Sequence, residues 1–330
     1  MIKNKKIIIT GGGGFIGTAL AERLVDDNKI VLLDTNFDRN AFAFSKLKEH
    51  KNIKQAEVDI LDAPEVSRII EGAQIVIHLV ARLGVRYVIQ NASHTLDVNY
   101  IGSSNLLKAV SLNSSCERLI FFSTSEVFGS GAFGVVENGN SVLQSIQDAR
   151  WCYCLSKLAA EHLAFAYFRE KGLPVVVIRP FNIFGPRRVG ENVICRFILA
   201  ALQNKDLTVY GDGTQIRAWC YIDDFCEAVL KSMEFDTAVG EAFNIGNPRN
   251  TVTAYELAKK IILSCDSKSQ IVFERPDFAD IDIRVPNTSK ARDILGYVPK
   301  VELEEGLLRT IEWFKEHLEE LNSLIYRGGD

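Results

Sequence analysis

The stretch from Ile7 to Leu24 constrains this chain more than any other. Ile7-Ile8-Ile9 is a short β-branched run that reads as a buried parallel strand. It breaks into Thr10-Gly11-Gly12-Gly13-Gly14 and resumes as Phe15-Ile16-Gly17-Thr18-Ala19-Leu20-Ala21-Glu22-Arg23-Leu24, with apolar residues at helical spacing. Strand, glycine turn and helix make the first βα unit of a dinucleotide-binding fold. Glycine can take positive φ there and lets backbone N–H groups approach a pyrophosphate at the positive end of the helix. Gly11, Gly14 and Gly17 fit G-x-x-G-x-x-G, flanked by the strand and helix that the motif requires.

The next strand, Lys29-Ile30-Val31-Leu32-Leu33, ends in Asp34, near the spacing expected for an acid that binds the adenosine ribose. A carboxylate there repels a 2′-phosphate, so NAD is expected rather than NADP. A third strand near residues 55–58 runs into Asp59-Ile60-Leu61-Asp62. Asp59 can accept from the adenine amino group, or an acid here can cap the helix that follows Pro64.

Bulk composition narrows the function. At 330 residues, 47% of them apolar, the chain can bury one large core or two smaller ones. A net charge of -4 gives no electrostatic case for nucleic acid or an anionic membrane. Cys116, Cys152, Cys154, Cys195, Cys220, Cys226 and Cys265 show neither CxxC nor zinc-ligand spacing, so reduced thiols and no metal are expected. The chain enters a strand almost at once and carries no apolar run of bilayer length, which points to a cytoplasmic protein.

Further along, residues 40–50 are polar and helix-compatible, residues 73–81 read as a fourth strand, and residues 91–112 as a helix. His78 lies within the fourth strand and is expected as a hydrogen-bonded core residue. Arg118-Leu119-Ile120-Phe121-Phe122 then runs into Ser123-Thr124-Ser125-Glu126. Hydroxyls and a carboxylate at the carboxyl end of a strand mark the ligand edge of an open α/β sheet. Residues 130–149 read as a loop bordering that site. The sheet is expected to close with residues 174–179, and a last helix to span 303–321.

In the helix opening near Arg150, Tyr153 and Lys157 are four apart and share one face. An ammonium beside a phenol stabilises the phenolate, so this pair is expected to lower the tyrosine pKa and supply a general base.

With Gly11 to Gly17, Thr124, Tyr153 and Lys157 in place, the chain resembles the extended short-chain dehydrogenase/reductase family, specifically its nucleotide-sugar epimerases, dehydratases and decarboxylases. The likeness spans nearly the whole chain. It includes Arg179-Pro180-Phe181-Asn182, Gly185-Pro186-Arg187, Gly211-Asp212-Gly213 through Arg217, Tyr221-Ile222-Asp223-Asp224, Phe243-Asn244-Ile245-Gly246 and Arg284 with Ser289-Lys290-Ala291. The implied fold is α/β: a Rossmann-type doubly wound parallel sheet with a smaller C-terminal substrate-binding α/β portion. Residues 1–180 would bind NAD and carry the catalytic Thr/Tyr/Lys. Residues 181–330 would mainly bind the nucleotide sugar, some segments returning to the first portion.

The resemblance implies roles as well. Tyr153 would take the proton of the sugar 4-hydroxyl while hydride leaves C4 for NAD, with Thr124 bonded to that oxygen and Lys157 on the nicotinamide ribose. Gly11, Gly14, Phe15, Ile16, Gly17, Asp34, Asp59, Ile60 and Ala81 would complete the cofactor site. Arg217 and Arg284 would grip a UDP-sugar diphosphate, with Arg86, Asn182 and Arg187 as further substrate contacts. Thr124-Ser125-Glu126 and Arg150-Trp151-x-Tyr153 most resemble UDP-glucuronate decarboxylases, in which Glu126 would orient the substrate and Ser125 assist protonation at C5. Gly84-Val85-Arg86-Tyr87 instead resembles UDP-glucuronate 4-epimerases, and Phe128 replaces a frequent tyrosine. Epimerase and dehydratase are therefore the alternative activities, and a non-catalytic NAD-binding regulator the alternative of another class. The resemblance also implies a homodimer, paired through the helices near 91–112 and 151–171.

Overall fold

A computed structural model describes residues 2–38, 41–190, 192–278 and 280–321. Seven parallel strands form the central sheet, in the order Ala242–Ile245, Val175–Pro180, Arg118–Phe122, Ile75–His78, Lys6–Thr10, Lys29–Asp34, Ile53–Glu57. The alternation along each strand feeds two cores. Ile7, Ile9, Leu32 and Ile77 pack on one face, whereas Ile8, Leu33, Val76 and Phe121 pack on the other. Burial on both faces explains why these strands read as continuous apolar runs. This is the doubly wound Rossmann-type fold, and its carboxyl edge carries the glycine turn, Asp34 and the Ser123–Glu126 segment.

The structure departs from the sequence expectations where tertiary pairing decides. Residues 174–179 do not close the sheet, because Ala242–Ile245 adds a seventh strand beyond them in register Ala242↔Val177. Residues 130–149 are not all loop. Gly131–Val135 pairs with Ile283–Pro286 in a second sheet, ordered Thr251–Thr253, Ile216–Ala218, Ile283–Pro286, Gly131–Val135. The fourth strand stops at His78, freeing residues 79–83 to line the cleft. The last long helix is Leu303–Glu316. The segment expected as helix over 40–50 forms two short turns, Ala41–Phe44 and Lys46–Glu49, with Asn40 outside the described residues.

The helix expected over 91–112 is broken into Ala92–Leu96, a π turn at Asp97–Ile101, and Gly102–Leu112. The wider turn carries Asn99, which bonds both backbone groups of Arg82: Arg82 N–H donates to Asn99 Oδ1 at 2.7 Å and Asn99 Nδ2 donates to the Arg82 carbonyl at 3.1 Å. Nδ2 also reaches Ser156 Oγ at 3.1 Å. Local irregularity thus fixes the segment after Ala81 against the Tyr153 helix, as π turns near functional sites commonly do. Among the described residues no helix is long and apolar enough to cross a membrane. No group of three potential metal ligands occurs among them.

Candidate active site

The glycine turn is held by its own backbone. Gly11 has φ +71° and its N–H donates to the Leu33 carbonyl at 2.7 Å. A side chain at Gly17 would overlap the Gly11 carbonyl oxygen, so helix and strand approach this closely only with glycine. The helix Phe15–Leu24 begins after Gly14 with no side-chain cap, leaving its first-turn N–H groups for an anion. Asp34 braces the turn from the next strand: Gly13 N–H donates to Oδ2 at 3.0 Å and Thr35 N–H to Oδ1 at 2.8 Å. Burial raises the Asp34 pKa despite these donors.

A cavity of about 320 Å³ opens over this turn, lined by Gly11, Gly14, Phe15, Ile16, Gly17, Asp34, Asp59, Ile60 and Ala81. Asp62 Oδ1 caps the helix Ala63–Ile70 by accepting from Glu65 N–H at 3.1 Å, whereas Asp59 borders the cavity. His78 is buried between Thr10 Oγ1 at 2.8 Å and Ser103 Oγ at 3.0 Å. Burial, then the charge of Lys157, holds its pKa well below the ordinary value.

Tyr153 and Lys157 lie on the helix Cys152–Lys171, beside Thr124 at the end of strand Arg118–Phe122. Thr124 starts a short turn, its Oγ1 accepting from Glu126 N–H at 3.2 Å. The expected depression of the tyrosine pKa by Lys157 does not occur. Burial raises the phenol and the nearby Glu126 charge raises it further, while a contact with the Thr124 hydroxyl and the Arg188 charge oppose them. Lys157 is instead 1% exposed, and its Nζ has no hydrogen-bond partner. Burial pulls its pKa down to about 8. A buried ammonium without hydrogen-bond acceptors and a turn stripped of side chains together fit a dinucleotide whose ribose hydroxyls accept hydrogen bonds and whose pyrophosphate needs N–H donors.

Arginines surround Glu126. Arg150 Nη1 donates to Glu126 Oε2 at 2.9 Å, its guanidinium stacked 4.3 Å from the Trp151 ring centroid. Arg284 lies beside Arg217, the other arginine expected at the diphosphate, in the register of two neighbouring parallel strands. The parallel pairing of Ile283–Pro286 with Gly131–Val135 carries it to the catalytic turn, where Nη1 donates to Ser125 Oγ at 3.2 Å and Nη2 to the Gly129 carbonyl at 2.7 Å. Arg284 is 2% exposed and its Nε has no partner. Its pKa falls to about 10 through burial, with Glu126 resisting and Arg217 and Arg150 adding to the fall.

Arg217 borders a second cavity of about 210 Å³, with Val85, Arg196, Gln215 and Trp219, and donates to the Ile281 carbonyl at 2.6 Å and to Asp280 at 3.2 Å. Arg86 lies on the short helix Val85–Gln90 that edges this cavity. Asn182 takes φ +45° and donates to the Ala218 carbonyl at 3.0 Å, joining chain segments. Arg187 borders the first cavity but forms a two-pronged ion pair with Glu22. Spacing gave no sign of Asn99 or of the Arg150–Glu126 pair, because each depends on a partner distant in sequence.

The glycine turn, its bracing acid and the Thr124, Tyr153 and Lys157 set are those of an NAD-dependent enzyme. The chain belongs to the NAD dependent epimerase/dehydratase family, whose sequence model matches residues 7–246. It is 36% identical over 325 residues to a UDP-N-acetyl-alpha-D-glucosaminuronate decarboxylase of Bacillus cytotoxicus, covering 94% of this chain and 98% of that protein. It is 33% identical to UDP-glucuronic acid decarboxylase 1 of Danio rerio over 96% of this chain and 74% of that one. The UDP-glucuronic acid 4-epimerase of Bacillus cereus, solved with UDP-glucuronic acid and NAD, superimposes with a TM-score of 0.87 at 26% identity, covering 94% and 99% of the two chains.

Proposed function

We propose that this enzyme is a UDP-hexuronate decarboxylase. One observation carries the reading. Arg284 is a buried guanidinium whose hydrogen-bond partners, Ser125 and Gly129, are both uncharged, whereas Arg150 is paired with Glu126 and Arg217 with Asp280. A buried cation beside this turn, with the Glu126 charge nearby but no ion pair of its own, suits an anionic substrate group. The carboxylate of a uronic acid supplies one on the sugar itself, in addition to the diphosphate that every UDP-sugar carries.

When bound, NAD supplies a hydride acceptor for C4 of the sugar. Tyr153 takes the proton of the 4-hydroxyl, with Thr124 bonded to the same oxygen. Lys157 holds the nicotinamide ribose, and its charge, once hydrogen-bonded there, helps to bring the phenol into the range of a base. The product ketone lies β to the C5 carboxylate, so the bond to that group can break with its electron pair passing into the ketone. Carbon dioxide leaves, and the resulting enolate takes a proton at C5. Arg284 steers the carboxylate before the break, and Ser125 passes the proton. Glu126, pinned by Arg150, orients the sugar.

Arg217, at the second cavity, is the guanidinium we assign to the diphosphate. Residues 1–180 serve mainly the cofactor and 181–330 mainly the nucleotide sugar, with Ala242–Ile245 returning to the central sheet. Exposed Tyr100 and Ile101 on the π turn and exposed Leu155 on the helix Cys152–Lys171 support a homodimer.

The test is the mass of the product after incubation with NAD and UDP-glucuronate, UDP-N-acetylglucosaminuronate or UDP-glucose. Loss of carbon dioxide from either uronate is expected. Unchanged mass with a new chromatographic peak would make the enzyme a 4-epimerase, and loss of water a dehydratase.

A further inference from the structure

The turn-rich segment after Gly185 holds a second arginine that none of these roles absorbs. Arg188 lines the cofactor cavity, and its Nε is buried without a hydrogen-bond partner. Its guanidinium carbon lies 5.5 Å from the centroid of the Phe15 ring. Phe15 is the first residue of the helix whose N-terminal N–H groups have no side-chain cap.

The backbone carrying Arg188 is fixed on both sides. The Arg188 carbonyl accepts from Cys195 Sγ at 2.6 Å, the Arg188 N–H donates to the Gly185 carbonyl at 3.3 Å, and the preceding Arg187 is locked to Glu22 on the same glycine-turn helix. The side chain is therefore delivered from the C-terminal half of the chain onto the mouth of the anion-binding turn.

We propose that Arg188 is a cofactor-binding residue that clamps the pyrophosphate of NAD from the side opposite the helix N-terminus. The helix supplies N–H donors with a fractional positive charge, which hold one face of a doubly charged group. A guanidinium fork supplies a full charge and paired donors for the other face. The contact with the Phe15 ring limits the rotamers of the fork before the cofactor arrives. The proposal rests on NAD binding alone, so it stands or falls independently of which sugar reaction follows.

Calorimetric titration of the full-length enzyme, freed of bound nucleotide, tests it with ADP-ribose, adenosine and UDP. Arg188→Met is expected to weaken ADP-ribose binding by tenfold or more and leave adenosine, which has no phosphate, within twofold. Arg188→Lys, which keeps the charge but not the fork, is expected to fall between. UDP affinity should not change. Unaltered ADP-ribose affinity in Arg188→Met would overturn the assignment, as would an equal loss for adenosine, which would mean a deformed pocket. A loss confined to UDP would place Arg188 at the substrate instead and equally overturn it. A thermal transition within the range of the unmodified enzyme confirms that each variant is folded.

Discussion

Arg284 Nη1 lies 3.2 Å from Ser125 Oγ although 159 positions separate the two residues. The contact brings a buried cation to the turn that also carries Thr124 and Glu126, and under the proposed function this cation receives the carboxylate of an acidic sugar. Arg284→Met is expected to lower kcat/KM for a UDP-hexuronate by about 100-fold or more, the scale of losing one preorganised charged donor. Carbon dioxide release followed by mass spectrometry checks this. Normal turnover by the variant would remove the main support for a uronate substrate.

Tyr153→Phe should bind NAD as the parent does yet lose sugar oxidation by roughly 10²–10⁴-fold, the range for removing a positioned acid–base group. Steady-state rates alongside NAD titration separate the two effects. A variant that still turned over at the parental rate would exclude the phenol as the base.

Lys157 makes a prediction about stability as well as activity. Its pKa drops from 10.5 to about 8 on folding, so between these values the unfolded chain binds more protons. Stability from this group therefore rises as pH climbs from about 8 to 10.5, and below 8 the full penalty applies. Lys157→Met should stabilise the nucleotide-free protein at pH 7 by up to ~3 kcal/mol, with the gain fading towards pH 10.5. Urea unfolding at several pH values tests the sign. NAD should then stabilise the variant less than the parent, because its ribose has lost a donor.

Gly17→Ala places a methyl group against the Gly11 carbonyl. The turn must open, so we expect weaker NAD binding by tenfold or more and a lower unfolding midpoint. Gly131→Ala is the control: nothing lies within 4 Å of its added carbon, and it should stay within about 0.5 kcal/mol of the parent.

The first βα unit was legible because every requirement of the glycine turn is local. So were the doubly buried strands, whose β-branched runs need no knowledge of their neighbours. Other features depend on partners far along the chain. Phe243-Asn244-Ile245 looks like any short apolar run until Val175–Pro180 lies beside it, and Gly131–Val135 has too little apolar character to stand out from a loop. The spacing of Tyr153 and Lys157 correctly placed both on one helix. It did not reveal that Lys157 is buried without a partner, while the charge bearing most directly on the phenol is that of Glu126. Arg284 was recognisable as important, but which group it reaches follows from the pairing of Ile283–Pro286.

The outermost strand, Ala242–Ile245, has a consequence for biosynthesis. During translation, the flank of Val175–Pro180 remains unpaired until more than 60 further residues have left the ribosome, as the register Ala242↔Val177 requires. Parallel pairing over such separations is slow, and an open strand edge invites association with other chains. A nascent chain truncated before residue 242 would thus display a sticky border rather than a finished nucleotide-binding module. Polysome stalling in that interval would expose it to chaperones, and grafts between relatives would need to carry the late strand together with the early ones.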